Sequence, residues 1–301
     1  MMSFKKAEID DYDRIQEYFS LYGENSCQHS FVNMYALYEK YGSQYCELNG
    51  FLYILRSRMC GNGKRTYLFP MGAGDRKKAV ENIIGDAHGN GSKVRFDTIT
   101  EDNYSWLMQE FPGVFQAREV RNYAEYLHRS ENLANLPGSK FAKKRYDVNL
   151  LRRVYEGRME ESILTKEKTG EVLAFEEKWL ADSLEMHDTA ALNLEYREIE
   201  KQLACFDELK ISGIIVRIDG IVQGFVYGAP ISRNCYDVLI EKGNRRIDDI
   251  YRVLNQDVVK MCAMGYAYIN REEDLGVPGL RKAKLSYKPD IILKKYIAEE
   301  I

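Results

Sequence analysis

Two short hairpins are the clearest feature of the hydrophobic pattern. Apolar runs flank Asn49-Gly50 within residues 46–55, and the same pattern flanks Asp219-Gly220 within residues 214–227. Asn-Gly and Asp-Gly favour a type I′ turn, in which both central residues have positive φ, and this turn joins two antiparallel strands. The sequence therefore predicts one hairpin in each half of the chain.

The elements around the two hairpins follow the same order. Two helices with apolar residues at helical spacing precede each hairpin, and strands alternating with helices follow it. In the first half we predict helices at 11–21, 31–41 and 101–110, a helix capped by Asp75, and strands at 66–69, 93–97, 114–117 and 123–128. In the second half we predict helices at 172–179, 192–203, 247–264 and 278–285, and strands at 236–240, 266–269 and 291–296.

This succession, which runs twice, is similar to that of the GCN5-related N-acetyltransferase (GNAT) fold. It predicts an α+β protein of two tandem GNAT-like domains, each a mixed, mostly antiparallel sheet flanked by helices. We place the boundary at the Asn135-Leu-Pro137-Gly138 stretch, which gives domains of 1–135 and 136–301. Ser139 is predicted to cap a helix that begins at Lys140.

Composition agrees with a globular protein and excludes several other classes. Apolar residues make up 45% of the chain and charged residues 30%, and the net charge of -3 does not indicate a general nucleic-acid binder. The six cysteines and four histidines show no metal-type spacing, so no metal site is predicted. Since neither a signal peptide nor a membrane-spanning run is evident, we expect a cytoplasmic protein.

Two segments resemble a known bacterial family. Residues 136–151 (LPGSKFAKKRYDVNLL) and 269–289 (INREEDLGVPGLRKAKLSYKP) resemble the C-terminal domain of phosphatidylglycerol lysyltransferases, a family that also has members without a membrane region. The second segment carries the more specific match, at Asn270, Glu272, Asp274, Leu275, Gly276, Gly279, Leu280, Arg281, Lys284 and Tyr287.

The resemblance implies a transferase with a tandem fold similar to that of the Fem-type peptidyltransferases. Better-understood relatives move an aminoacyl group from a charged tRNA to an amine or hydroxyl acceptor, so aminoacyl-tRNA is the expected donor. The acceptor class stays open among a small molecule, a peptide and a lipid headgroup. The lysyltransferases also carry a large transmembrane region, which this sequence lacks.

Four residues are predicted to carry the chemistry, with the second domain as the working one. The C-terminal ends of central parallel strands form a usual ligand site in α/β sheets, which places the residues after 266–269 in a cleft. Glu272 or Asp274 is expected to accept a proton from the attacking amine, Asn270 to stabilise the oxyanion, and Tyr287 to return a proton to the leaving hydroxyl. The alternative is that these carboxylates cap the next helix and that Tyr287 packs in the core.

Basic residues are predicted to bind the phosphates of the donor. Lys140, Lys143 and Lys144 share one face of a helix, which suits contact with a tRNA acceptor stem, and an ordinary solvated face is the alternative. The other members of this set are Arg145, Arg281 and Lys284.

Acetyl-CoA is the alternative donor. The loop at 241–246 (EKGNRR) offers Arg245 and Arg246 for a pyrophosphate but lacks the glycine spacing of an ordinary coenzyme A loop. This departure disfavours a coenzyme A-dependent N-acyltransferase. A third reading is a binding protein that retains the fold without catalysis.

Overall fold

The computed structural model describes residues 2–184 and 189–301. Its strands are β1 (Lys5–Lys6), β2 (Ser43–Leu48), β3 (Phe51–Arg56), β4 (Lys64–Tyr67), β5 (Met71–Gly72), β6 (Lys93–Thr100), β7 (Phe115–Glu119), β8 (Glu125–Arg129), β9 (Met159–Ile163), β10 (Ser212–Ile218), β11 (Ile221–Pro230), β12 (Cys235–Gly243), β13 (Tyr268–Glu273), β14 (Ile291–Leu293) and β15 (Lys295–Glu300). Its α-helices are α1 (Tyr12–Tyr22), α2 (Phe31–Ala36), α3 (Tyr38–Tyr41), α4 (Arg76–Gly89), α5 (Glu101–Glu110), α6 (Ser130–Asn135), α7 (Ala142–Val154), α8 (Thr169–Leu184), α9 (Thr189–Ala204), α10 (Ile250–Val258) and α11 (Pro278–Ser286).

These strands form two mixed sheets. The first has eight strands in the order β1-β2-β3-β4-β6-β15-β7, with β5 paired to β3, and the second has seven in the order β14-β8-β13-β12-β11-β10-β9. Strand β15 comes last in the sequence yet lies between β6 and β7 of the first sheet. Strand β8 is the first strand of the second sheet in the sequence, and it lies between β14 and β13.

The chain divides into two compact units that interleave along the sequence. The first unit comprises residues 1–126, 273–282 and 291–301, and the second comprises 127–272 and 283–290. The predicted boundary at residue 135 would give two consecutive domains. These units are not consecutive, because residues 273–282 and 291–301 belong to the first unit.

Both predicted hairpins are present with the expected turn. Asn49 and Gly50 have φ of 51° and 78°, and Asp219 and Gly220 have φ of 53° and 77°. Cross-strand pairs close directly on each turn, Leu48 with Phe51 and Ile218 with Ile221. The local turn chemistry thus sets the register of each hairpin.

Some predicted elements differ from the structure. The single strand predicted at 291–296 is two strands, β14 and β15, which belong to different sheets. The helix predicted at 31–41 is broken at Leu37 between α2 and α3, and α10 continues as a π-helical segment, Val259–Ala263. Lys140 lies in a 3-10 turn, Ser139–Phe141, that precedes α7, and Ser139 makes no side-chain capping bond.

Each unit has its own apolar core. In the first unit, aromatic residues from the sheet pack against α4 and α5, with Phe96 and Phe115 fully buried. In the second unit, α7 and α10 cover one face of the sheet, with Val148, Leu254 and Tyr236 in the core. This second arrangement places α7, α10 and the end of α11 around the residues considered next.

Candidate active site in the second unit

The candidate site lies where two parallel strands of the second sheet separate. Backbone pairing between β12 and β13 covers Cys235 to Asp237 against Tyr268 to Asn270 and then stops. A bulge adds to the divergence: Gly228 pairs with Val238 but Tyr227 pairs with Ile240, so one residue of β12 is extra. Bulges re-aim side chains and are frequent beside functional sites. We call the space beyond these pairs the β12–β13 groove.

An ion pair spans the β12–β13 groove. Arg271 on β13 donates from Nη2 to Glu241 Oε2 on β12 at 2.8 Å, and both side chains are nearly buried, at 11% and 13% exposed. The amide of Asn255 on α10, with its oxygen toward Arg271, accepts from Nε at 2.9 Å. Hydrogen-bonded charged and amide groups therefore occupy the space between the two strand ends.

The ring of Tyr287, which directly follows α11, packs against Lys144 and Arg271. Lys144 Nζ lies 3.8 Å from its ring centre and the Arg271 guanidinium 5.1 Å, so two cations share one ring. Its hydroxyl makes no hydrogen bond with the described residues. Burial raises the pKa of Tyr287 to about 12, despite the opposing effect of Arg271, so the phenol keeps its proton at neutral pH.

A buried histidine adjoins Tyr287. His128 on β8 is fully buried, and its ring packs edge-on to Tyr287 with centres 6.4 Å apart. Neither ring nitrogen has a hydrogen-bond partner among the described residues. Burial, with a smaller contribution from Arg271, lowers the pKa of His128 to about 3, so the ring is neutral.

Two of the four predicted catalytic residues lie at the end of β13. Asn270 is fully buried, and its Oδ1 accepts a hydrogen bond from the backbone N–H of Glu272 at 2.7 Å. Glu272 is half-buried and has φ of 54°, a strained conformation for a non-glycine residue. The Asn270 side chain thus stabilises the left-handed backbone conformation at Glu272. Together with Tyr287, both residues belong to the second unit.

Asp274, by contrast, is fully engaged within the first unit. It accepts from Arg281 Nε and Nη2 at 2.8 Å each, from the Tyr126 hydroxyl at 2.5 Å and from the Gly276 backbone at 2.8 Å. Burial alone would raise its pKa, but these donors prevail and hold the pKa of Asp274 well below its usual range. A carboxylate so strongly held is poorly suited to accept a proton, and its contacts fix the loop that leads into α11.

The predicted basic residues do not form one surface. Arg145 donates to the Leu136 and Gly138 carbonyls, Arg281 holds Asp274, and Lys284 donates to the Arg271 carbonyl. Lys140 and Lys143 are exposed, and Lys143 pairs with Asp147 at 3.2 Å.

Arg245 and Arg246 border a separate cleft of about 890 Å³. It lies between α8, the start of β11 and the loop after β12, and the Arg245 guanidinium stacks 4.3 Å from the Trp179 ring. The Trp179 indole donates to the Gly243 carbonyl at 3.2 Å, which fixes the ring. The cleft combines an aromatic wall with exposed cations.

The matching place in the first unit has a different character. There the parallel strands β4 and β6 pair from Lys64 to Tyr67. Leu68 and Phe69 come directly after β4, and Asp97, which pairs with buried Arg56 at 2.7 Å, follows the paired residues on β6. Phe69 packs on Phe96 and Trp106, with ring centres 5.4 and 6.0 Å apart. Aromatic packing and a buried ion pair thus lie together at this position in the first unit.

One cluster of potential metal ligands occurs among the described residues. Ligand atoms of Cys27, Glu125 and Glu273, all in the first unit, lie within 4.8 Å of one another. Lys295, fully buried, already pairs with Glu125 at 2.5 Å. Because an ammonium supplies the positive charge there, the cluster does not fit a cation well.

Sequence reasoning placed Arg271 in the cleft without giving it a role, and missed Glu241, Asn255 and His128 as members of the site. Arg271 stands inside the 269–289 signature and Glu241 at the end of a predicted strand, so position alone would have nominated both. Asn255 and His128 carry no such signal, because only the packing of α10 and β8 brings them to the groove.

Comparison with known structures defines the class of protein. Over its full length the chain is similar to a conserved protein of unknown function from Bacteroides thetaiotaomicron VPI-5482, with 31% identity, 100% of both chains covered and a TM-score of 0.94. L-PGS from Bacillus licheniformis follows at 15% identity, with 98% of this chain and 93% of that chain covered and a TM-score of 0.66. A tandem GNAT protein from the clavulanic acid biosynthesis pathway shares the fold at 8% identity, with 100% and 98% covered and a TM-score of 0.50. The fold is therefore of the tandem GNAT type.

The family follows from the sequence match. The model of the family described as phosphatidylglycerol lysyltransferase, C-terminal, matches residues 19–299. The chain belongs to this family, which confirms the resemblance and supports a transferase in general terms. Within residues 2–184 and 189–301, no helix combines the length and apolarity needed to cross a bilayer.

Proposed function

We propose that the protein transfers an aminoacyl group from a charged tRNA to an amine or hydroxyl acceptor, and that the second unit carries the reaction. The main support is the polar β12–β13 groove, in which Arg271, Glu241 and Tyr287 meet at the end of two diverging strands. For the first unit we propose a structural or acceptor-positioning role.

The groove offers groups for each part of an ester aminolysis. The attacking amine must lose a proton, and Glu272 at the end of β13 is one candidate base. The tetrahedral oxyanion needs donors, a role that suits Asn270 and nearby backbone N–H groups. The Tyr287 phenol is protonated at neutral pH and is a candidate proton source for the leaving ribose hydroxyl. In this scheme Asp274 takes no part in proton transfer and instead holds the loop that leads into α11.

The cleft beside α8 suits the donor nucleic acid. Exposed Arg245 and Arg246 provide charges for phosphate oxygens, and Arg245 packs on the Trp179 ring. Lys140 and Lys143 add exposed charge on and before α7. The family name indicates a lysyl donor and a phosphatidylglycerol acceptor for its named members, and we propose the same classes, donor aminoacyl-tRNA and an amine or hydroxyl acceptor, for this chain.

A transfer assay tests this proposal. The protein is incubated with tRNAs charged with radiolabelled amino acids and with phosphatidylglycerol vesicles, a peptide amine or a polyamine as acceptor. We expect tRNA-dependent label in one acceptor and weaker donor binding for Arg245→Ala/Arg246→Ala. Lys260→Met, which changes an exposed lysine away from the cleft, should behave as wild type. Absence of both product and tRNA binding at low salt would contradict the proposal.

A coenzyme A thioester is the second candidate donor. The observation in its favour is the same cleft, since Asn244 to Arg246 form the loop between β12 and α10. A ligand that binds the folded state must raise the melting temperature, so acetyl-CoA decides this in a thermal-shift experiment. A clear shift that Arg245→Ala/Arg246→Ala abolishes would favour acetyl-CoA over tRNA.

A further inference from the structure

Lys144 is unlike the neighbouring lysines on the same stretch of chain. It is half-buried near the start of α7, its Nζ donates to Ser286 Oγ at 2.8 Å, and it lies over the Tyr287 ring. Lys143, one residue earlier, is 81% exposed and pairs with Asp147. Helix α7 therefore directs Lys144 toward Ser286 and Tyr287 and leaves Lys143 in solvent.

Every carboxylate near Lys144 is already bound to an arginine. On α7 itself, Asp147 pairs with Arg252 of α10 at 2.6 Å, and Asp249, just before α10, pairs with the same arginine. On β12, Glu241 pairs with Arg271. No carboxylate oxygen of a described residue lies within ion-pair distance of the Lys144 amine.

The other charged groups around Lys144 are cations or neutral. Arg252 and Arg271 face it from α10 and β13, Lys284 faces the groove from α11, and His128 on β8 is neutral. Burial lowers the pKa of Lys144 to about 8, and Arg252 and Arg271 reinforce the effect. At neutral pH part of the Lys144 amine population is therefore uncharged and the rest is protonated. Tyr287 stays protonated and His128 stays neutral at this pH, so neither exchanges a proton as readily.

We propose that Lys144 carries out both proton transfers of the reaction, in place of Glu272 and Tyr287, the candidates considered above. The inference rests on the proposed aminoacyl transfer. The neutral Lys144 amine removes a proton from the attacking acceptor nitrogen as the C–N bond to the ester carbonyl forms. The resulting ammonium then gives that proton to the ribose oxygen as the C–O bond breaks. The products are an amide and a free hydroxyl, and Lys144 returns to its initial state. The Tyr287 ring and Ser286 hold the amine in place.

Competitive labelling tests the environment of Lys144 without any activity. The folded protein is treated with trace acetic anhydride between pH 6 and 11, and acetylation of each lysine is measured by peptide mass spectrometry. We expect Lys144 to gain reactivity with a midpoint near pH 8, below the value of about 10.4 for a lysine in a model peptide. A midpoint for Lys144 at the model-peptide value would overturn the proposal.

Variants in the transfer assay test the role. Lys144→Met should lower kcat at least about 100-fold with little change in donor binding. Lys144→Arg keeps a cation over Tyr287 but cannot release its proton, so it should be equally slow. Both variants should lose the rise in kcat through pH 8, and Lys260→Met should keep it. Near-ultraviolet circular dichroism identifies any variant that fails to fold.

The outcomes separate this inference from the proposed function. No product from the wild-type protein with any donor and acceptor would overturn the proposed function. Product from the wild type, with Lys144→Arg equally active and its pH profile unchanged, would overturn only the acid–base role of Lys144.

Discussion

At the residue scale, the ion pair across the β12–β13 groove makes a definite prediction. Replacing Arg271 by Met leaves Glu241 charged and nearly buried beside Asn255, and breaking such a pair costs about 3 kcal/mol. We expect a loss of this size in the free energy of unfolding from urea denaturation. The double variant Arg271→Met/Glu241→Met should recover most of it, because no buried charge then lacks a partner. Equal losses in the single and double variants would contradict this account.

Asp274 predicts a pH dependence of stability. Its pKa is lower in the folded protein than the ordinary value of about 3.9. The ionised carboxylate therefore contributes full stability above that value, and the contribution is lost as pH falls toward the folded pKa.

Asp274→Asn should accordingly cost about 3 kcal/mol at pH 7, since it breaks the buried pair with Arg281. The difference from wild type should shrink as the pH of the urea denaturation is lowered below about 4. As a matched control, Asp207→Asn removes an exposed pair with Lys166 and should change stability by less than about 1 kcal/mol. A constant effect of Asp274→Asn across pH would argue against an ionised Asp274.

At the scale of single elements, two glycines predict opposite effects. A Cβ on Gly228 of β11 would lie 1.8 Å from the Asp237 carbonyl oxygen, on the strand that borders the groove. Gly228→Ala should therefore force β11 and β12 apart and cost about 3 kcal/mol. Gly85 on α4 has open space for a Cβ, so Gly85→Ala should stabilise the protein by about 1 kcal/mol. Thermal unfolding of both variants measures this, and a neutral Gly228→Ala would show that the strands can shift.

The elements that the sequence predicts well are those fixed by neighbouring residues. Asn49-Gly50 and Asp219-Gly220 determine their turns locally, and the Asp75 side chain caps α4 by accepting from the Lys78 N–H at 2.9 Å. The break at Leu37 and the bulge in β12 escaped prediction. Both depend on packing against other elements, which no local propensity encodes.

The same contrast explains the candidate site. The position after β13 was predictable, because strand ends in such sheets are regular places for ligands. The partner choices were not: Asp274 and Arg281 bind each other in the first unit, and Lys144 turns toward Tyr287 instead of joining Lys143. Side-chain charge alone does not tell which cation meets which carboxylate.

At the scale of the whole molecule, the position of β15 predicts how the protein unfolds. Ala298 lies opposite Phe96 on one side and Ala117 on the other, so β15 completes the hydrogen bonding of both β6 and β7. Ala298→Pro removes a central N–H and should release both neighbours. Hydrogen exchange of β6 and β7 amides should become fast, whereas Lys6→Pro on the edge strand β1 should have little effect. Retained protection of β6 and β7 in Ala298→Pro would contradict this.

The repeated order of elements in the sequence does not predict that strands of the two sheets interleave along the chain. A repeated succession of elements suggests two consecutive domains, and the predicted strand at 291–296 falls entirely within the second. The structure instead turns at Lys294 and sends β15 to the first sheet. Pairings between residues some 200 positions apart, such as Glu299 with Arg95, leave no trace in local pattern.

The placement of β15 has a consequence for biosynthesis. Nascent polypeptides usually fold domain by domain as they leave the ribosome, beginning with the earliest segment. Here the first sheet must wait with an unfilled slot between β6 and β7 until residues 295–300 have been translated. Early segments thus stay open to chaperones and proteases until β15 has emerged, and a message truncated before this strand would yield no finished first unit.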